Sequence, residues 1–170
     1  MNYFDIHNHI LPGVDDGSQD LEESMGMIDI AYQEGTRQLV LTPHYMRHKN
    51  PYTRDELKQR FEEFKSAVHE KYPELTLYLG NEVLWDNGIT DDLKAGLIQT
   101  MNDTKYVLVE FNIRIGYKEV YEAMRQIINA RFRPIIAHVE RYQCLFKHPE
   151  RLDELINMDV TLQMNISSVY

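Results

Sequence analysis

The sequence predicts an α/β fold in which parallel strands alternate with helices and the sheet closes as a β/α barrel. Two observations carry that prediction. A strand-like segment followed by a helix-like one recurs six times, and such connections are right-handed crossovers between parallel strands. A residue able to bind a metal ion stands at the end of strand after strand, as expected where functional groups gather on the C-terminal rim of a barrel. No linker, internal repeat or low-complexity tract interrupts the 170 residues, so they are expected to form one domain.

The first strand, Tyr3 to His9, sets Phe4 and Ile6 on one face and Asp5, His7 and His9 on the other. The Pro12-Gly13 and Asp16-Gly17 turns that follow end it and lift the histidines to a rim. From Asp20 to Glu34, Leu21, Met25, Ile28 and Tyr32 recur at helical spacing, and Gly35 supplies the stop. Arg37 to Thr42 reads as a short buried strand ended by Pro43, with His44 next. Thr53 and Glu56 form a capping box, and Leu57, Phe61, Phe64, Val68 and Tyr72 carry that helix to Pro73. Leu75 to Val83 is the third strand, with Asn81 and Glu82 at its end, and a looser helix covers Asp91 to Gln99. Lys105 to Phe111 is the fourth strand and closes on Glu110, and Tyr117 to Ala130 is helical through Val120, Met124, Ile127 and Ile128. Arg133 to His138 is the fifth strand. Pro149 opens a helix with Leu152, Leu155 and Ile156 facing inward, and Val160 to Ile166 makes a sixth strand that brings Asn165 to the rim.

Composition narrows the function. With 43% hydrophobic and 11% aromatic residues the chain is ordinarily globular. Its 18 basic and 27 acidic side chains give a net charge of -9, which opposes binding to nucleic acid or an anionic membrane. No apolar run approaches membrane-spanning length. A single cysteine, Cys144, forms no internal disulfide, and the N-terminus shows no basic-apolar leader, so a cytoplasmic location is expected.

His9, His44, Glu82, Glu110, His138 and Asn165 follow one another at roughly 30 residues, the length of one β/α unit. With His7 they bring four imidazoles and two carboxylates to one rim from five strands. Mixed nitrogen and oxygen donors suit Zn, Mn or Fe better than Mg or Ca. Six ligands exceed one tetrahedral site, and a carboxylate such as Glu110 can bridge two ions, the usual device for attack on phosphate esters. His48, His69 and His148 read as surface groups.

Asp5-Ile6-His7-Asn8-His9-Ile10-Leu11-Pro12-Gly13-Val14-Asp15-Asp16-Gly17, Thr42-Pro43-His44-Tyr45, Gly80-Asn81-Glu82, Val109-Glu110-Phe111 and Ala137-His138-Val139-Glu140-Arg141-Tyr142 together resemble the PHP (polymerase and histidinol phosphatase) superfamily. Within it they are most similar to bacterial tyrosine-protein phosphatases of capsule and exopolysaccharide loci. The resemblance implies a distorted TIM-like (β/α)7 barrel with about six units present, and up to three divalent ions, usually Mn2+ with Zn2+ or Fe2+ as alternatives. It also implies a substrate, the phosphotyrosine of a partner protein, a bacterial tyrosine autokinase. Residue by residue, His7, His9, His44, Glu82, Glu110 and His138 match metal ligands, Arg141 matches a phosphate-binding arginine and Asp16 an acidic residue near the site. Family members continue to a late Asp-x-His pair and a further arginine, so residues 1–170 are expected to be a PHP domain lacking its C-terminal part. Such a chain is expected to bind fewer than three ions.

Three other readings compete. An amidohydrolase also begins with His-x-His, but it uses a modified lysine where this chain has Glu110. A cysteine phosphatase needs five residues between cysteine and arginine, whereas Cys144 and Arg151 are separated by six with no glycine. The third is an inactive fragment or binding module. Within the superfamily, histidinol phosphate is the alternative substrate, and Tyr45, Arg47 and Tyr142 either form a mouth for a phosphotyrosine ring or simply cover the barrel top.

Overall fold

A computed structural model describes residues 2–165. Its strands are β1 (Tyr3–Asn8), β2 (Thr36–Leu41), β3 (His44–Tyr45), β4 (Thr76–Leu79), β5 (Glu82–Leu84), β6 (Tyr106–Glu110), β7 (Arg133–Ile136) and β8 (Thr161–Leu162). The helices are α1 (Leu21–Gln33), α2 (Arg54–Lys71), α3 (Ile89–Lys94), α4 (Tyr117–Asn129), α5 (Gln143–Phe146) and α6 (Pro149–Asn157). Every strand pairing is parallel, in two sheets ordered β1-β2-β4 and β3-β5-β6-β7-β8.

The two sheets are one wall with a seam. Pro43 has no N–H to give the ladder, so β2 and β3 separate there. Opposite, Gly80 and Asn81 separate β4 from β5, and the Asn81 amide donates to the Pro43 carbonyl at 2.9 Å in place of a ladder bond. Backbone bonds from Gly80 N–H to Leu41 and from Glu82 N–H to Pro43 carry the pairing across. A side chain at Gly80 would meet Met101 Sδ at 2.8 Å, so the methionine would have to shift for any other residue to fit where the wall narrows. The third predicted strand is therefore two strands, and the sixth is shorter than predicted, with Ile166 lying outside the described residues.

Alternation shows that the wall is buried on both faces. Leu39 and Leu41, Leu77 and Leu79, and Val107 and Val109 face outward into clusters under the helices. Val40, Leu108, Ile135 and Ala137 face inward, joined by Met101, Ile6 and Tyr78. Strands apolar on both faces are what a sheet buried on both sides requires. Among the described residues no sheet closes on itself; β1 and β8 remain its outer strands.

The helices follow their sequence signals. Asp20 accepts the Glu23 N–H to cap α1, and Gly35, at φ +100°, ends it. α2 buries Leu57, Phe61, Phe64 and Val68 behind the expected Thr53/Glu56 capping box. Thr53→Ala is expected to cost about 1 kcal/mol, a fall of roughly 2–4 °C in thermal midpoint; calorimetry on the two proteins checks it. Two expectations fail locally. α3 covers Ile89–Lys94 rather than Asp91 to Gln99, because Gly96 at φ +72° turns the chain. On α6 Leu155 is buried and Leu152 packs beside it, but Ile156 faces solvent.

Candidate metal centre

Period two places three of the expected ligands. His44, Glu82 and Glu110 lie on the inner face because Tyr45, Val83 and Val109 are outward, and register sets His44 beside Glu82 and Glu110 beside Leu84. Glu110 is one step nearer the rim than Leu108, which fills the inner cluster.

His7 and His138 reach the same place by breaking the alternation. Ile6 packs on the inner cluster, so a regular strand would send His7 outward. The register of β1 against β2 shifts between Asp5 and Asn8, and there Asp5 Oδ1 accepts the His7 N–H at 3.0 Å. The face expected to hold Phe4 and Ile6 is accordingly uneven, with Phe4 half exposed. Ala137 is likewise inward, and His138 turns back by adopting the left-handed region, φ 34° and ψ 55°. A non-glycine residue held there costs on the order of 1 kcal/mol, a strain of the kind that gathers at functional sites.

Glu82, 1% exposed, is the centre of the cluster. Its Oε1 lies 2.9 Å from His138 Nε2 and 3.1 Å from His7 Nε2, and its Oε2 lies 3.1 Å from His9 Nε2 and 3.3 Å from His44 Nδ1. Glu110 Oε1 is 2.9 Å from His44 Nδ1, and its Oε2 is 3.8 Å from His138 Nε2. Burial alone would raise the Glu82 pKa, but the imidazoles of His138, His7 and His9 around it hold it far below the carboxylate range. Burial pulls His9 down, yet the Asp15 and Glu82 carboxylates outweigh it and lift His9 to about 10. Glu110 similarly raises His44.

The donor set fits divalent cations. Three overlapping groups, His7/His9/Glu82, His44/Glu82/Glu110 and His9/Asp15/Asp16/His44, each bring their ligand atoms within 4.8 Å of one another. His44 Nδ1 makes no aligned hydrogen bond although Glu110 Oε1 lies 2.9 Å away, a buried nitrogen that a cation could take. The same nitrogen and carboxylate atoms suit Zn, Mn or Fe.

Of the two residues expected near phosphate, Asp16 lies at the exposed edge of this cluster and Arg141 makes no contact with it among the described residues. Asp16 is largely exposed, its Oδ1 3.4 Å from His44 Nε2. Arg141 ends a 3-10 turn, Val139–Arg141, just past His138; it is exposed and its guanidinium has no ion pair among the described residues. Tyr45, Arg47 and Tyr142 do not form a mouth: the Tyr45 hydroxyl donates to Asp92, Arg47 pairs with Asp92, and buried Tyr142 accepts the Phe111 N–H. His48 and His69 are exposed as expected, and half-buried His148 pairs with Glu150.

Sequence reasoning missed Asp15. Its buried Oδ2 accepts from His9 Nδ1 at 2.7 Å and from the His44 N–H at 2.9 Å, while Oδ1 accepts the Gly17 N–H. Burial acts to raise its pKa, but the bonds from His9, His44 and Gly17 prevail and lower it. A carboxylate on Nδ1 orients the imidazole and leaves Nε2 for a cation. The legible signal was the Asp-x-Gly turn, which marks Asp15 rather than Asp16 as the residue tied into the loop.

Residues 3–170 match the family described as capsular polysaccharide synthesis, CpsB/CapC. Tyrosine-protein phosphatase CpsB of Streptococcus agalactiae serotype V is 33% identical over 165 residues, covering 97% of this chain and 68% of that protein. CpsB of Streptococcus pneumoniae is 30% identical over 161 residues, covering 95% and 66%. YwqE of Bacillus subtilis, also named a tyrosine-protein phosphatase, is 29% identical over 169 residues, covering 97% and 65%. A crystal structure from a report on B. subtilis YwqE and S. pneumoniae CpsB, described as unique metal-dependent tyrosine phosphatases, superposes with a TM-score of 0.86 at 26% identity, over 95% of this chain and 66% of that one. The chain thus spans about two thirds of the length of these relatives. A match across nearly every residue, a shared fold and a rim of imidazoles around one buried carboxylate agree, and the chain belongs to the CpsB/CapC family.

Proposed function

We propose that this chain is a metal-dependent protein-tyrosine phosphatase, acting in the cytoplasm on the phosphotyrosine of a bacterial tyrosine kinase that governs capsule or exopolysaccharide synthesis. The observation that carries the reading is Glu82, a buried carboxylate in contact with His7, His9, His44 and His138. We read residues 1–170 as one PHP domain, about six units of a distorted (β/α)7 barrel; the inward cluster and the 3.1 Å contact from His7 on β1 to Gln163 beyond β8 support that curvature.

His7, His9, His44, Glu82, Glu110 and His138 are assigned as ligands of divalent ions, with Mn2+ first. Bound there, such ions supply Lewis acidity to phosphoryl oxygens and activate water near neutral pH. Asp15 holds His9 with Nε2 turned to the cluster. Arg141, exposed one turn beyond His138 and without an ion pair among the described residues, is assigned to receive a phosphoryl oxygen, for which its forked guanidinium is suited. Asp16 stands at the exposed side of His44, where it can take or give a proton.

The chain needs no nucleophile of its own. Burial pushes the Cys144 thiol up, which weakens it as a thiolate, and Cys144 sits on α5 with its carbonyl tied to Arg151. Cys144→Ser is expected to retain parental turnover of a phosphotyrosyl peptide in Mn2+; a dead variant would replace this scheme with a thiol mechanism. Chelation is expected to abolish turnover, and Mn2+ to restore it. Faster turnover of histidinol phosphate than of the phosphotyrosyl peptide would overturn the substrate assignment.

A further inference from the structure

Gln163, two residues before the rim position predicted for Asn165, touches both histidines that depart from strand alternation. Its Oε1 lies 2.7 Å from the His138 backbone N and 3.1 Å from His7 Nδ1, and its Nε2 donates to Asn165 Oδ1 at 2.9 Å. The backbone is itself anchored: Gln163 N–H donates to Ile136, and Val139 N–H donates to Gln163.

These contacts decide atoms that otherwise stay ambiguous. A backbone N–H is only a donor, so the Gln163 atom facing His138 is the carbonyl oxygen. That oxygen cannot donate to His7, so Nδ1 of His7 carries the proton. The nitrogen left over is Nε2, the one that faces Glu82 Oε1 at 3.1 Å. The same oxygen satisfies the N–H of His138, whose left-handed backbone sends its ring to Glu82.

We infer that Gln163 is a positioning residue of the metal centre, fixing the tautomer of His7 and the backbone turn of His138 together through one oxygen. It joins the two ends of the curved wall, since His7 lies on β1 and Gln163 follows β8. Asp15 does the corresponding work for His9 and the His44 N–H, so two acceptors, one charged and one neutral, each hold one imidazole and one histidine backbone around a single carboxylate.

The inference rests on the metal reading above and is tested by binding rather than by turnover. Mn2+ affinity of the chelator-stripped chain is measured by calorimetry and by EPR counting of free Mn2+ for the parent, Gln163→Leu, Gln163→Asn and Gln163→Glu. Leu removes the oxygen, Asn withdraws it by one methylene, and Glu keeps it. Leu and Asn are expected to weaken Mn2+ binding about 10–100-fold, the usual effect of losing a partner behind a ligand. Glu is expected to stay within about threefold of the parent, a rescue that mere packing would not give. Should Leu fail to fold, Asn against Glu makes the same comparison. Parental affinity in Leu or Asn, or equal weakening in Asn and Glu, overturns the role of Gln163 and leaves the metal reading intact. A parent that binds no Mn2+ overturns the metal reading and this inference with it.

Discussion

Replacing Glu82 with glutamine is expected to empty the centre of its ions and abolish phosphatase activity. Glutamine keeps the shape but removes the charge on which His7, His9, His44 and His138 converge, and it leaves one oxygen where there were two acceptors. Partners behind a ligand cost about 10–100-fold in metal affinity when lost, so a carboxylate inside the cluster should cost more than that. Turnover should fall by at least the 10²–10³-fold that removing a single transition-state donor costs. Metal content per chain after dialysis, with turnover of an aryl phosphate, checks it. A glutamine variant with the parent's metal content would show that the cluster is structural.

Gly17→Ala is expected to be the most damaging small change outside the ligand set. A Cβ there would lie 2.2 Å from the His9 carbonyl oxygen and 2.4 Å from the His9 Cβ, so the backbone must move. The displaced segment is the one that holds His9: Ser18 N–H donates to the His9 carbonyl, and Gly17 N–H secures Asp15. Stability should fall by about 1–3 kcal/mol, as for overpacking elsewhere. Metal affinity should fall about 10–100-fold as Asp15 loses its hold on His9. A thermal melt and a Mn2+ titration read the two effects separately. Parental values in both would mean that the loop yields without moving His9.

His44, Glu82 and Glu110 were legible because they obey period two: an outward neighbour on each strand fixes their direction, and strand length fixes their height. Asp5, set by alternation on the face with His7 and His9, instead accepts the His7 N–H and the Asn8 side chain, and its pKa is raised by burial despite those bonds. Whether Tyr45 and Arg47 form a recognition mouth or cover the barrel top stayed open because nothing near them in sequence reveals Asp92, which engages both from α3. Burial and that carboxylate push the Tyr45 hydroxyl up to about 12, so it is a donor there and not an acid.

The sequence by itself determined the alternation of strands and helices, the α2 capping box and which six imidazole and carboxylate side chains to propose as ligands, because each depends on periodicity or on a residue's neighbours within a few positions. Only the tertiary structure decided where the wall breaks at Pro43 and Asn81, how His7 and His138 are turned inward, and that Asp15 and Gln163 stand behind the ligands. Those outcomes depend on hydrogen bonds between residues distant along the chain, such as His7 with Gln163 and Asn81 with Pro43, and no local pattern encodes which distant acceptor a side chain will meet.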